Sequence, residues 1–283
     1  MKKSLITLSL SLLIFASAFS QSEPIIDIFS ASSLIDNQTV TTPYKGSLEM
    51  QIEHRFSLIE NIKNIYGIYG AANARMGLSY GVTDRIMVGI GTSKNYKLQD
   101  LRWKYAILQQ TEDNSMPIAL SYYGNMVLDA RPDNNFGPEA SYRFIHRISY
   151  FTQLIVAKKF NDKLSLQVAP SFMYFNSVPQ YSDSVGYKNF NIGLSAGGRY
   201  LLFGNHSLML EYNQLLTKQK NLPDAEKPKP SLSLGWEIGT PTHAFQIFAT
   251  NYSSIINQYN FLYNTNDFTD GKWLFGFNII ARF

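Results

Sequence analysis

Residues 273–283 read WLFGFNIIARF. Taken alternately, Trp273, Phe275, Phe277, Ile279, Ala281 and Phe283 are all apolar. Leu274, Gly276, Asn278, Ile280 and Arg282 form a mixed set that ends in a charge. A period of two is the signature of a strand with two unlike faces. The length suits a tilted strand crossing a bilayer.

Working outward, the alternation begins at Gly46 and hardly stops. The spacing predicts strands over 47–56, 71–82, 85–92, 101–109, 118–128, 147–160, 164–176, 190–200, 207–216, 232–240 and 244–251, with 273–283 as the twelfth. The hairpin turning at Thr83 and Asp84 is the clearest. Predicted connections alternate in length: 57–69, 93–100, 129–146, 177–188, 217–230 and 252–272 are long. Those at 83–84, 111–116, 161–163, 201–205 and 241–243 are short. A secreted β-sandwich has no reason to segregate loops in this way. An even-stranded outer-membrane barrel does, because its periplasmic turns are short and its outer loops long. The expected fold is an all-β, transmembrane, antiparallel up-and-down barrel of about twelve strands, and its expected location is the outer membrane of a Gram-negative bacterium. The final strand resembles the closing strand of such barrels, and that resemblance makes Phe283 part of an insertion signal read by barrel-assembly machinery.

Composition agrees with a lipid-facing wall. Charged residues are 16% of the chain, below the usual quarter, and aromatics are 14%, with 18 Tyr and 19 Phe. The net charge of +4 includes Lys2 and Lys3, so no electrostatic footprint for nucleic acid remains once a leader is removed. The absence of cysteine excludes disulfides, thiolate metal sites, a Cys nucleophile and a lipid-anchored N-terminal cysteine.

Three segments follow. Residues 1–20, with a basic start, an apolar run and small Ala18 and Ser20, read as a secretory signal peptide. Residues 21–45 are polar with an apolar patch at Ile25, Ile26, Ile28 and Phe29, and read as a periplasmic lead-in or a plug folded back into the barrel. Residues 46–283 are the barrel.

Within lipid the sheet must close on itself, which pairs the first strand with the last. Glu49 and Arg282 then meet at the periplasmic seam. Strand parity turns Glu49, Glu53, Arg55, Arg75, Arg102, Lys104, Arg199, Glu211, Glu237 and Arg282 inward as lumen-lining charges. A midplane Arg or Lys facing lipid would cost about 2–4 kcal/mol. These charges either cross-link the lumen or select solutes. Strand number leaves both open, since eight strands enclose only side chains and 16–18 an open channel. Simple register sets Glu211 beside Glu237, with answering Arg or Lys from across the lumen.

Catalytic patterns are thin. His54 has lipid-facing parity near the outer end of the first strand, where some twelve-stranded phospholipases carry a His and a Ser. No serine stands in a facing position, however, and a nucleophile needs an adjacent base. His146, His206 and His243 suit capping and interfacial places. The acidic and amide residues of 252–272 lack a regular Ca²⁺-loop spacing and read as a solvated outer loop. No phosphate-binding loop is present, so no cofactor, metal site or catalytic residue is expected.

The phrases LIDNQTV, GSLEMQIEHRF, GAANARMGLSYGVTDRIMVGIG and FQIFATN, in that order, resemble a family of uncharacterised outer-membrane β-barrels from Bacteroidota, labelled as a domain of unknown function. The resemblance spans about Leu34 to Phe283. It implies a barrel, an outer membrane and a Gram-negative source, and brings no activity or site residues. The functional expectation is a narrow channel or transporter for small polar solutes. Its alternatives are a non-conducting structural or partner-binding barrel and, behind these, an outer-membrane lipid hydrolase.

Overall fold

The computed structural model describes residues 22–137 and 139–283. The signal peptide read over 1–20 lies outside the described residues. Twelve of the described strands close into one antiparallel barrel. They are β1 (Leu48–Leu58), β2 (Asn73–Thr83), β3 (Ile86–Ser93), β4 (Leu98–Leu108), β5 (Ala119–Asp129), β6 (Ile148–Lys159), β7 (Leu164–Phe175), β10 (Phe190–Phe203), β11 (His206–Leu215), β12 (Ser231–Gly239), β13 (His243–Thr250) and β14 (Leu274–Arg282). Two further short strands, β8 (Gln180–Ser182) and β9 (Val185–Gly186), pair with each other in the outer loop between β7 and β10, and Gly186 also exchanges backbone hydrogen bonds with Lys220. No helix among the described residues is long and apolar enough to cross a membrane.

Every barrel strand pairs with its neighbours in sequence, and β1 closes against β14 with Glu49 opposite Arg282. Terminal Phe283 completes the seam by exchanging backbone hydrogen bonds of 2.9 and 3.0 Å with Leu48. Register shifts fall near strand ends, between Gly81 and Thr83, Ala106 and Leu108, and Leu201 and Phe203, where bulges re-aim the rim.

The alternation produces two unlike faces. On β2, Asn73, Arg75 and Ser79 are buried, while Met76, Leu78 and Tyr80 are exposed. Repeated around the barrel, the outward set makes a continuous apolar wall that includes Val88, Ile90, Leu154, Leu194, Leu234 and Ile247. A water-soluble monomer does not expose a surface of this extent, but hydrocarbon does not penalise it. Near the periplasmic rim Phe203, His206 and Trp236 pack together, with a 3.1 Å hydrogen bond from Trp236 Nε1 to His206 Nδ1. Such amphipathic rings suit a membrane interface. Lys158, which has outward parity, lays its ammonium over the Phe160 ring at 5.5 Å.

The interior is filled by two segments. Residues 23–25 run beside the β4–β5 turn, where the Ile25 N–H donates to Gln110 O at 2.8 Å. The chain then rises into the lumen, turns over Leu34–Asn37, and descends, with Thr39 N–H returning to Ser32 O at 2.9 Å. It leaves beside the β2–β3 turn, where the Lys45 N–H donates to Asp84 Oδ1. Ile28 and Phe29, and all of 31–40, are buried in this inner hairpin. From the outer end, the β13–β14 connection descends and forms helix α1 (Asn257–Tyr263), with residues 257–262 buried. The solvated outer loop expected over 252–272 is therefore corrected. Ile255, Ile256, Phe261 and Leu262 are apolar enough to seek the interior, and the neighbouring amides find partners there.

Hairpin, helix and wall share an apolar core. Ile28, Phe29, Leu34, Ile35 and Val40 meet Tyr123, Val127, Phe151, Ile155 and Met173 of β5–β7, together with Tyr259, Phe261 and Leu262. Glycines make room for this close packing. A Cβ on Gly193 would lie 2.5 Å from the Phe261 ring. Gly77 and Gly91 face each other across β2 and β3 beneath the Arg75 guanidinium. A Cβ on Gly91 would lie 2.0 Å from Arg75 Nη2 and 2.7 Å from Asp100 Oδ1. Gly91→Ala is therefore expected to push Arg75 off its partner and cost about 1–3 kcal/mol, as overpacking does. A lower temperature for loss of folded gel mobility would report it, and an unchanged temperature would refute it.

Candidate functional site: the barrel lumen

The inward side chains fall into three groups, which differ in what answers their charge. The first is a wall network. Arg75 donates from Nη1 to Glu53 Oε2 at 2.5 Å, and from Nε and Nη2 to the two oxygens of Asp100 at 2.8 Å each. Arg102 Nε reaches the same Asp100 at 2.9 Å, and its Nη1 donates to Gln51 Oε1 at 3.3 Å. All these side chains are buried. Two guanidinium groups against two carboxylates leave the network neutral.

The second group sits at the periplasmic end and grips the hairpin's stems. Arg282 Nε donates to Glu49 Oε2 at 3.0 Å, and its Nη2 to Ser30 O. Ser32 Oγ donates to Glu49 Oε1. Arg199 Nη1 reaches Ser30 Oγ at 2.5 Å, and Lys104 Nζ donates to Ser32 O and Thr41 O at 2.8 and 2.9 Å. Lys159 pairs with Asp27 at 2.8 Å. Higher up, Gln246 donates to Glu237 Oε2 at 2.9 Å and Asn278 to Ile35 O at 2.7 Å.

The third group meets the hairpin's tip at mid-lumen. Three consecutive backbone N–H groups, from Ile35, Asp36 and Asn37, converge on Glu211 Oε2 at 3.2, 3.1 and 3.0 Å. Successive amides aimed at one anion form a concave nest. Tyr252 adds a hydroxyl donor to Glu211 Oε1 at 3.2 Å. Asp36 accepts from Asn260 Nδ2 at 2.9 Å through Oδ2, and its carbonyl accepts from Asn257 Nδ2 at 3.1 Å. Its Oδ1 faces Arg55 Nη2 at 3.9 Å, too far for a hydrogen bond. Arg55 is held by Asn278 Oδ1 at 2.9 Å, and its guanidinium lies 4.5 Å from the Phe248 ring centroid.

The structure separates Glu211 from Glu237. Glu211 stands opposite Ser233 and Glu237 opposite Ser207, so the side-by-side pair is corrected. Long loop 217–230 contributes residues unequally to the two strands, and simple register does not survive this. Asp100 is a lumen residue that the alternation alone assigns to the 93–100 loop; β4 begins at Leu98 and brings it inward. His54 stacks on Phe277 at 5.1 Å and lies 4.4 Å from Phe56. Its Nδ1 has no hydrogen-bond partner among the described residues.

Above α1 lies an outer vestibule, a cavity of about 770 Å³. It is lined by Tyr96, Arg131, Phe136, Tyr187, Tyr259 and Tyr263, among others. Tyr187 donates its hydroxyl to Glu226 O at 2.8 Å. Burial, and then the nearby Glu226 carboxylate, push that phenol above its usual range, so it remains a donor at neutral pH.

A closed twelve-stranded barrel with an apolar outer wall and a charged, filled lumen is a membrane-bound β-barrel of the Gram-negative outer membrane. Residues 29–283 match the family described as "Membrane bound beta barrel domain (DUF5777)", and the chain belongs to it. Among solved structures the NanC porin is similar, with a TM-score of 0.53 at 8% identity over 83% of this chain and 98% of that one. An outer membrane channel from Pseudomonas putida F1 gives 0.49 at 12% identity over 86% and 97%. The KdgM porin gives 0.43 at 8% over 84% and 98%. At these identities the likeness is one of fold. No curated protein matches the sequence.

Proposed function

We propose that this barrel is a gated channel or transporter for small polar solutes, held closed by its own N-terminal hairpin acting as a plug. One observation carries the reading. The hairpin crosses the lumen, yet its tip and stems are tied to the wall by hydrogen bonds and ion pairs that water or a polar solute can replace. With the hairpin withdrawn, the wall would expose Glu49, Lys104, Arg199, Glu211 and Arg282 to the pore. The porin-like fold supports this reading. In it, lipid solvates the outer wall, and Phe283, 74% exposed at the rim, belongs to the signal read by assembly machinery in a Bacteroidota cell.

The test is conductance across a planar bilayer, with the intact mature chain and with a chain lacking 22–45. Brief or rare openings are expected from the first and sustained discrete steps from the second. Silence in both, with folding verified by heat-shifted gel mobility, would refute the channel. The alternative would then stand, a non-conducting structural or partner-binding barrel. The apolar core joining Ile28, Leu34 and Val40 to Tyr123 and Ile155 favours that second reading, because it makes the hairpin resemble permanent filling. No catalytic residue is assigned: the ring contacts of His54 are with Phe56 and Phe277.

A further inference from the structure

We infer that the outer vestibule is a binding site for neutral saccharides of a few rings. This deepens the channel reading by naming a solute class, and rests on it for passage but not for binding. The cavity's volume, about 770 Å³, falls within the range of small-molecule sites. Its floor is α1, and its walls reach the exposed loop residues Asn135 and Tyr181.

Tyrosine rings line it as a series, tilted or edge-on to one another. Tyr96 lies 5.4 Å from Tyr259, Tyr259 5.6 Å from Tyr263, and Tyr263 5.2 Å from Tyr187, measured between centroids. Backbone strain at its edge is an independent observation. Tyr96 and Lys97 both adopt left-handed conformations, at φ 60° and 51°, in a four-residue turn. Non-glycine residues seldom do so, and such strain collects at ligand sites. Here it sets the Tyr96 ring at the cavity wall, 4.3 Å from the Arg131 guanidinium.

The vestibule's arginines are already answered, and its Glu226 carboxylate accepts from the Tyr187 hydroxyl at 3.3 Å. Arg131 is bonded to both oxygens of Asp129. Arg147 is taken by Asp133, the Tyr142 hydroxyl and two backbone carbonyls. An anionic ligand would have to break these arginine pairs. What remains for a guest is the exposed ring surface of Tyr96 and Tyr181, with the second amide proton of Gln180, whose first is given to Tyr187 O, the Asn135 side-chain carbonyl and the Thr265 hydroxyl. A sugar ring presents C–H groups on its faces and hydroxyls around its edge. Its faces suit tyrosine rings, and its edge suits amides and hydroxyls.

The test is titration calorimetry of the full-length protein in detergent micelles with maltotriose, cellotriose and chitotriose, and with glucose 6-phosphate as the charged comparison. At least one neutral trisaccharide is expected to bind saturably. Tyr96→Ala should weaken it tenfold or more, Tyr96→Phe much less, and Ile247→Ala on the lipid face not at all. If Tyr96→Ala fails to give heat-shifted folding, Gln180→Ala on the exposed loop takes its place, with a several-fold loss expected. Absence of binding by all three neutral sugars, binding of the charged sugar alone, or affinity unchanged in the vestibule variants would overturn the inference. Saccharide binding by a protein silent in bilayers would keep this site and remove the channel. Conductance without saccharide binding would do the reverse.

Discussion

Asp100→Ala is expected to destabilise the barrel by about 3–5 kcal/mol, the usual cost of stripping one partner from a buried ion pair. The aspartate binds two guanidinium groups at once, accepting two parallel hydrogen bonds from Arg75 and a third from Arg102. Removing it leaves a neutral network with one net positive charge and only Glu53 to answer it. Because both arginines are buried, solvent cannot screen the excess. Asp100→Asn keeps one carbonyl acceptor and should lose less. Asp224, whose side chain is 96% exposed beside Lys227, is the control, and its alanine variant should leave stability unchanged. Loss of folded gel mobility on heating would measure all three. A loss below about 1 kcal/mol at Asp100 would mean that water, not the aspartate, answers the arginines.

The importance of Asp100 also shows where the sequence was legible and where it was not. Period-two alternation, loop-length asymmetry and the closing strand were enough for the barrel, its twelve strands and the register that sets Glu49 against Arg282, because lipid on one side enforces the pattern at every strand. The pattern weakens where both faces are apolar. On β5–β7, Tyr123, Val127, Phe151, Ile155 and Met173 point inward, and nothing local announces that the lumen beside them is dry. That information belongs to the partner segment. The hairpin's LIDNQ tip and the helix NQYNFLY are short and amide-rich, so by local propensity they read as loops. Their order comes from contacts far away in sequence, such as Asn260 with Asp36 and Asn278 with Ile35. Strand ends were the remaining gap. Three residues separate a loop Asp100 from a lumen Asp100, and turn chemistry at Lys94–Lys97, with two left-handed residues, decides between them.

Glu211→Gln is expected to raise the open probability in planar bilayers by roughly ten- to hundredfold, and to make residues 28–42 accessible to added protease. The carboxylate now accepts three backbone N–H groups and a tyrosine hydroxyl. Glutamine retains one carbonyl oxygen for them and turns an NH₂ donor toward a site already crowded with donors. A hydrogen bond to a charged group contributes about 1.5–3 kcal/mol, and about 1.4 kcal/mol corresponds to tenfold in an equilibrium constant. Two effects oppose this: burial strips water from the Glu211 carboxylate, and Asp36 lies close enough to repel it, so neutralising Glu211 relieves both. The relief is the smaller effect, because the three backbone N–H groups and the Tyr252 hydroxyl replace the water the carboxylate gave up, and glutamine cannot satisfy all four. The stems remain bound to Lys104, Arg199 and Arg282, so the variant should loosen the tip and leave the barrel's melting temperature close to that of the parent. Proteolysis reads tip release even in a barrel that does not conduct. Full protection of 28–42 together with unchanged open probability would place the latch in the stems, and Lys104→Met would then be the opening variant.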